Sequence, residues 1–286
     1  TRNREFAGRE LRTLTEHDLK AWQVRLTGLK RSTLRRLSND FKAALNACFL
    51  DHRRSLPADL PVTIKYGLKV EPVEWDEAET IGRDNQILAD RQVRQIIAEA
   101  LATDSDGDFA LLVLVLAATG ARFSQVKRMR IRDAQPAQSR LFVPCSRKGR
   151  GRAPSFIKVQ IGPDVVEAIS RAIAGRAPDE PLLEHWRYRQ IAPQKWVRSY
   201  RGPWAAASEM TRKWKQVVAA VDLPGIVPYA LRHSSIVRGI RSGLPIRLVA
   251  ALHDTSVVMI ERHYSRWITE GLEELAARAV VPLLAA

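Results

Sequence analysis

The stretch "FALLVLVLAATGARFSQV", residues 109–126, decides how the larger part of this chain is built. Its apolar run, Phe109 to Ala118, is about half the length a bilayer-spanning helix needs, so it reads as a helix buried in a protein core. Thr119 and Gly120 then close that helix, since glycine accepts the left-handed backbone of a helix C-terminus. A new helix starts at once, and the tight turn between them aims the Arg122 guanidinium into a cleft.

Outward from this point the pattern stays mostly helical. Upstream, "LADRQVRQIIAEAL" has helical spacing, with Asp90 in the capping position. Downstream, 140–145 and 155–161 alternate as two short strands around a turn rich in glycine and cations. Helical patterns follow at 164–174, 206–221, 231–242, 245–252 and 269–281. Toward the N-terminus, 15–52 reads as basic helices opened by a Thr15 cap, and 56–85, with prolines at 57, 61 and 72 and an acidic patch, reads as a connector. The expected division is 1–85, a helical domain with its linker, and 86–286, a mainly α domain with a small β-sheet.

Composition narrows the partners. The formal charge of +15 over 286 residues recruits polyanions, nucleic acid first and anionic membrane second. Residues 122–158 hold eleven Lys and Arg against one acid, Asp133, and 187–215 hold eight against one, Glu209. Such one-sided blocks suit a groove that tracks phosphates, with binding that weakens steeply as salt rises. Two cysteines, Cys48 and Cys145, are too few for a disulfide framework or metal cluster and fit a reducing cytosol. The chain opens on Thr1 and a polar stretch, so no signal peptide is expected, and a longer native N-terminus is.

Arg122 gains meaning from two further stretches. In "PYALRHSSIVRGIRSG", 228–243, Arg232 lies on an apolar helix beside His233, and in "ALHDTSVVMIERHYSRW", 251–267, Tyr264 stands among Arg262, His263 and Arg266. Taken in order, "TGAR", "SRKGRGR", "YALRH", "LHDTS" and "ERHYSR" resemble the signature of the tyrosine recombinase (phage integrase) family over 88–270.

The resemblance implies a fold and a chemistry. The basic helices at 15–52 are similar to a core-binding domain, with Lys30, Arg31, Arg35 and Arg36 as expected DNA contacts, and Arg147 and Arg150 flank the catalytic turn. Arg122 and Arg232 would grip a phosphate bidentately, as planar guanidiniums can. His253 would add a hydrogen bond, Lys148 would protonate the leaving 5′-oxygen, and Tyr264 would attack, giving a 3′-phosphotyrosyl intermediate without metal, ATP or other cofactor. Two positions depart from the pattern. The first histidine of the "HxLRH" box is Tyr229 here, which either only donates a hydrogen bond or leaves proton transfer to His233 or His263. The histidine of the later box falls on Asp254, with His253 one place earlier, so either residue is a candidate for that position.

The expected activity is that of a site-specific DNA recombinase or integrase of a mobile element, working in the cytoplasm at the nucleoid. Its expected partner is double-stranded DNA, with no membrane association, and with a homotetramer joined by exchange of a C-terminal helix striped with Leu272, Leu275, Ala279 and Leu283. A catalytically impaired DNA-binding protein and a type IB topoisomerase-like enzyme are the alternatives.

Overall fold

The computed structural model describes residues 4–26, 28–70, 85–146, 155–270, 276–277 and 280–281, and the chain divides into two compact units, Thr1–Asp76 and Glu77–Ala286.

The first unit is helical: α1 (Glu16–Val24), α2 (Arg31–His52) and α3 (Leu60–Gly67). Helix α1 starts where expected, because Thr15 Oγ1 accepts the Asp18 amide while the Asp18 carboxylate accepts the Thr15 amide. The Thr15 hydroxyl, and then its amide, donate to that carboxylate and hold the Asp18 carboxyl below the usual carboxylate range. Leu19, Leu45, Leu60, Ile64 and Leu68 form the core, with the Trp22 and Phe41 rings beside it, tilted by 40° with centroids 4.7 Å apart. Helix α3 corrects the connector reading of 56–85 over Leu60–Gly67, while 71–84 lie outside the described residues. Pro61 sits in its first turn, where a missing amide costs nothing, so that proline marks a helix start and not a linker. Gly67 ends α3 against α1, where a β-carbon would lie 2.7 Å from Leu19.

The second unit is built around α5 (Asp108–Thr119), which is buried on all sides by Phe109, Leu112, Val113, Val115 and Leu116. Helix α4 (Asp90–Thr103) packs along it; Ala89 is its cap, and Asp90, the expected cap, is its first residue and pairs with Arg238. After α5 come α6 (Phe123–Val126) and a three-stranded antiparallel sheet, β1 (Ala134–Gln135), β2 (Arg140–Pro144) and β3 (Phe156–Gln160). Strands β2 and β3 pair from Arg140 opposite Gln160 to Pro144 opposite Phe156, and the basic segment 147–154 between them lies outside the described residues. Helix α7 (Pro163–Ile173) follows, then a long hairpin, β4 (Glu184–Ala192) and β5 (Lys195–Pro203), that the sequence reading did not anticipate. Its five cations, Arg187, Arg189, Lys195, Arg198 and Arg201, hide the strand pattern behind a charge count.

Helices α8 (Thr211–Ala220), α9 (Ala230–Arg241), α10 (Ile246–Leu252) and α11 (Val257–Thr269) complete the unit. Among the described residues no helix is long and apolar enough to cross a membrane. The stripe at Leu272, Leu275, Ala279 and Leu283 lies outside them. The architecture is thus mainly α with small antiparallel sheets.

Candidate active site

Helix α9 buries an apolar face made of Ala230, Leu231, Ile236, Val237 and Ile240, and it takes Arg232 and His233 inside with it. Arg232 is only 3% exposed. Its Nη1 donates to the Gly120 carbonyl at 2.9 Å and its Nη2 to the His253 carbonyl. Among the described residues no carboxylate pairs with it, so a full positive charge is held in place by neutral dipoles. Burial, and then the nearby Arg122, push its pKa below the ordinary guanidinium value, against the opposing pull of Tyr229 and Tyr264.

The Thr-Gly turn makes this arrangement possible. Gly120 has φ +58°, and a β-carbon there would lie 2.6 Å from Ser235 Oγ and 2.8 Å from His253 Nε2. Two residues on, Arg122 caps α6 and its amide donates to Gln125 Oε1 at 3.0 Å. Its Nη1 reaches Ser146 Oγ at 3.2 Å, the Asp254 carbonyl at 3.1 Å and Asp254 Oδ2 at 3.5 Å. The two guanidiniums therefore hang on the carbonyls of consecutive residues, His253 and Asp254, at the end of α10.

Tyr264 comes to the same place from α11. That helix is broken at Tyr264 itself (φ −136°, ψ 16°), and the side chain is 6% exposed, packed near Trp267 with ring centroids 6.0 Å apart. Its Oη lies 2.6 Å from His233 Nδ1. In the tautomer with its proton on Nε2, His233 accepts the phenolic proton. Tyr229, by contrast, is 44% exposed and touches His233 edge-on at 4.9 Å, with the Arg232 guanidinium 5.9 Å from its ring centroid. Of the two routes left open at Tyr229, the geometry favours the second, since it brings the His233 imidazole onto the phenol.

His253 is near but differently employed. Its Nδ1 donates to the Val249 carbonyl at 2.8 Å, which leaves Nε2 to accept from Ser235 Oγ at 2.9 Å. Burial lowers its pKa to about 4, so it is neutral at pH 7. Both ring nitrogens are occupied, so the expected hydrogen bond from this ring to a phosphate finds no free donor; its main-chain carbonyl holds Arg232 instead.

Arg122, Arg232, Tyr264, His233 and Tyr229 thus gather around one turn. Lys148, Arg147 and Arg150 lie outside the described residues, although β2 and β3 flank them and Ser146, at the root of that turn, touches Arg122. Lys30, Arg31, Arg35 and Arg36 are exposed near the start of α2, in the other unit. Gln125, Ser146, Ser235 and Asp254 escaped the sequence reading as positioners. Only Gln125, three residues after Arg122 in the capping-box position, carried a local signal.

Comparison with known proteins gives a consistent picture. The chain matches the phage integrase family over residues 86–267. It is 26% identical over 192 residues to tyrosine recombinase XerA of Pyrococcus furiosus, covering 67% of this chain and 61% of the length of that relative. Its fold is similar to that of the Tn1549 transposon integrase in complex with transposon right end DNA (TM-score 0.56, 15% identity, 94% of this chain and 87% of that one). It is also similar to XerH site-specific recombinase bound to a palindromic difH substrate in a post-cleavage complex (TM-score 0.60, 14% identity, 96% and 75%). With the family matched over residues 86–267, more than half of its length, the chain belongs to the phage integrase family.

Proposed function

We propose that the chain is a site-specific DNA recombinase that cleaves and rejoins double-stranded DNA through a 3′-phosphotyrosyl intermediate. The observation that carries the reading is the 2.6 Å contact between Tyr264 Oη and His233 Nδ1, one residue from a buried guanidinium that donates to two carbonyls and, among the described residues, meets no carboxylate.

The phosphodiester is bound by Arg232 and Arg122, whose positive charges offset the negative charge that builds on the non-bridging oxygens as phosphorus becomes five-coordinate. Tyr264 Oη attacks phosphorus while its proton passes to His233 Nδ1. A Tyr264 O–P bond forms, the P–O5′ bond breaks, and the leaving oxygen takes a proton from Lys148, the residue the family resemblance assigns to that step. His253 and Asp254 act through their carbonyls, orienting the two guanidiniums. Because the ester energy is kept in the phosphotyrosine, a 5′-hydroxyl of another strand reverses the step without ATP.

The homotetramer on DNA, C-terminal exchange between protomers, DNA contacts from Lys30, Arg31, Arg35, Arg36, Arg147 and Arg150, and a place at the nucleoid as an element-borne integrase belong to the same reading. Duplexes nicked at successive positions and tiled across the DNA flanking the coding sequence test it. A nick just past the cleavage point lets the 5′-fragment diffuse away, so the adduct accumulates. The expected result is an adduct that resists denaturation at a defined site, and strand joining between two such sites when intact duplexes are supplied. No adduct anywhere would identify a binding protein, and relaxation of supercoils without joining would identify a topoisomerase-like enzyme.

A further inference from the structure

Asp254 is one of the two candidates, with His253, for the position where the family pattern has a histidine, and an acid beside a phosphate site looks unfavourable. The geometry gives it a different task. Its backbone is left-handed (φ +47°), which aspartate tolerates better than most residues. From that conformation its Oδ2 accepts the Ser146 amide at 2.7 Å and Gln125 Nε2 at 3.3 Å, and lies 3.5 Å from Arg122 Nη1. Its own carbonyl accepts Arg122 Nη1 at 3.1 Å. Gln125 in turn reaches the Pro144 carbonyl at the end of β2 with 3.0 Å geometry, and Arg122 reaches Ser146 Oγ. One residue therefore grips Arg122 with both main chain and side chain and ties it to the root of the β2–β3 turn that carries Lys148 in sequence.

We propose that Asp254 is a positioning residue that holds Arg122 and the base of the β2–β3 turn in one fixed geometry, and that it works as a hydrogen-bond acceptor while its charge offsets part of Arg122's attraction for DNA. The proposal rests on the reading of this site as the cleavage centre. It separates two quantities that a general structural role would move together. Losing the acceptor frees Arg122 to swing, which slows cleavage. Losing the charge strengthens, or at least does not weaken, the hold on DNA.

The test compares native protein with Asp254→Ala and Asp254→Asn on the tiled nicked duplexes, measuring the single-turnover rate of adduct formation, DNA affinity, and hydrogen exchange at the Ser146 amide. Asparagine can present its amide oxygen where Oδ2 now lies. Asp254→Ala is expected to slow cleavage roughly 10- to 100-fold without loss of affinity, because small misplacements of a clamp are costly. It is also expected to lose protection at Ser146, whereas Asp254→Asn keeps both the protection and a rate within a few-fold of native. A native rate in Asp254→Ala, an Asp254→Asn as slow as Asp254→Ala, or unchanged Ser146 exchange in all three would overturn the proposal. If Asp254→Ala does not fold, the rate and exchange of Asp254→Asn decide alone. If the native chain forms no adduct, the recombinase reading fails, and Ser146 exchange by itself decides whether Asp254 positions the turn.

Discussion

Two arginine-rich regions of the larger unit handle the same side chain in opposite ways. In the β4–β5 hairpin three arginines each meet an acid: Arg198 with Asp106 at 2.9 Å, Arg201 with Asp108 and Glu184, and Arg187 with Glu209 at 2.7 Å. Around the 253–254 turn, Arg232 donates to two carbonyls and lies 5.9 Å from the Tyr229 ring centroid, with no carboxylate beside it among the described residues. The direction of each pKa follows: hydrogen bonding to Asp108 pushes Arg201 above the ordinary guanidinium range, whereas burial pushes Arg232 below it. A guanidinium matched by carboxylates is committed to the fold, and one held by dipoles keeps its charge for an incoming anion. Arg122 stands between the two cases, held by one carbonyl and by the Asp254 carboxylate at 3.5 Å.

The contrast can be broken by substitution. The largest expected effect is at Arg232. Arg232→Ala should lower the single-turnover cleavage rate about 10³-fold, and Arg232→Lys should recover little of it, since an ammonium cannot reproduce the fork. An Arg232→Ala protein that cleaves at the native rate would erase the distinction between the two regions.

Next in size is the acid response of the turn that holds Arg232. His253 has a folded pKa of about 4 against 6.5 for a free imidazole, so the unfolded chain binds the proton more readily between those values. Stability contributed by the neutral ring is therefore complete above pH 6.5 and is lost as pH falls toward 4, by up to about 3 kcal/mol. Denaturant melts across that window should show the loss, and His253→Gln should flatten the slope. The Arg187–Glu209 pair should stay intact until lower pH, because burial raises the Glu209 carboxyl less than the Arg187 and Ala205 hydrogen bonds lower it.

At His233 the expected effect concerns chemistry more than stability. His233→Ala should slow cleavage about 10²-fold near pH 7, as removal of a positioned base does, and the deficit should narrow as pH approaches the ionisation of a free phenol near 10. A deficit independent of pH would assign His233 to packing alone. Smallest is Arg201→Ala, on the committed side of the comparison. It should cost at most about 1 kcal/mol, or roughly 2–4 °C in Tm, and leave cleavage within about threefold of native, because a solvent-screened pair contributes modestly.

The sequence was most legible where function is carried by local pattern. The Thr-Gly turn, Arg232 beside His233 on an apolar helix, and Tyr264 ahead of Trp267 all folded into the site, and β2 and β3 formed within a residue of their expected bounds. Charge counting was less informative, for a physical reason. The block 187–215 looked one-sided because its acids are remote in sequence: Asp104, Asp106 and Asp108 are brought by α5 and the turn before it to Lys213, Arg198 and Arg201. Much of that apparent groove charge is already neutralised within the fold. Asp254 misled for the same reason, since its donors Ser146 and Gln125 lie more than a hundred positions away. His253 was assigned by its neighbourhood in the chain, whereas its role is set by Ser235 and Val249, which occupy both ring nitrogens.

The account depends most on where the DNA becomes attached. Digesting the trapped adduct and locating the modified residue by mass spectrometry decides this, with Tyr264→Phe run in parallel. A nucleotide joined through its 3′-phosphate to Tyr264, absent from the Tyr264→Phe protein, is the expected result. Attachment to any other side chain, or an undiminished adduct in Tyr264→Phe, would contradict it.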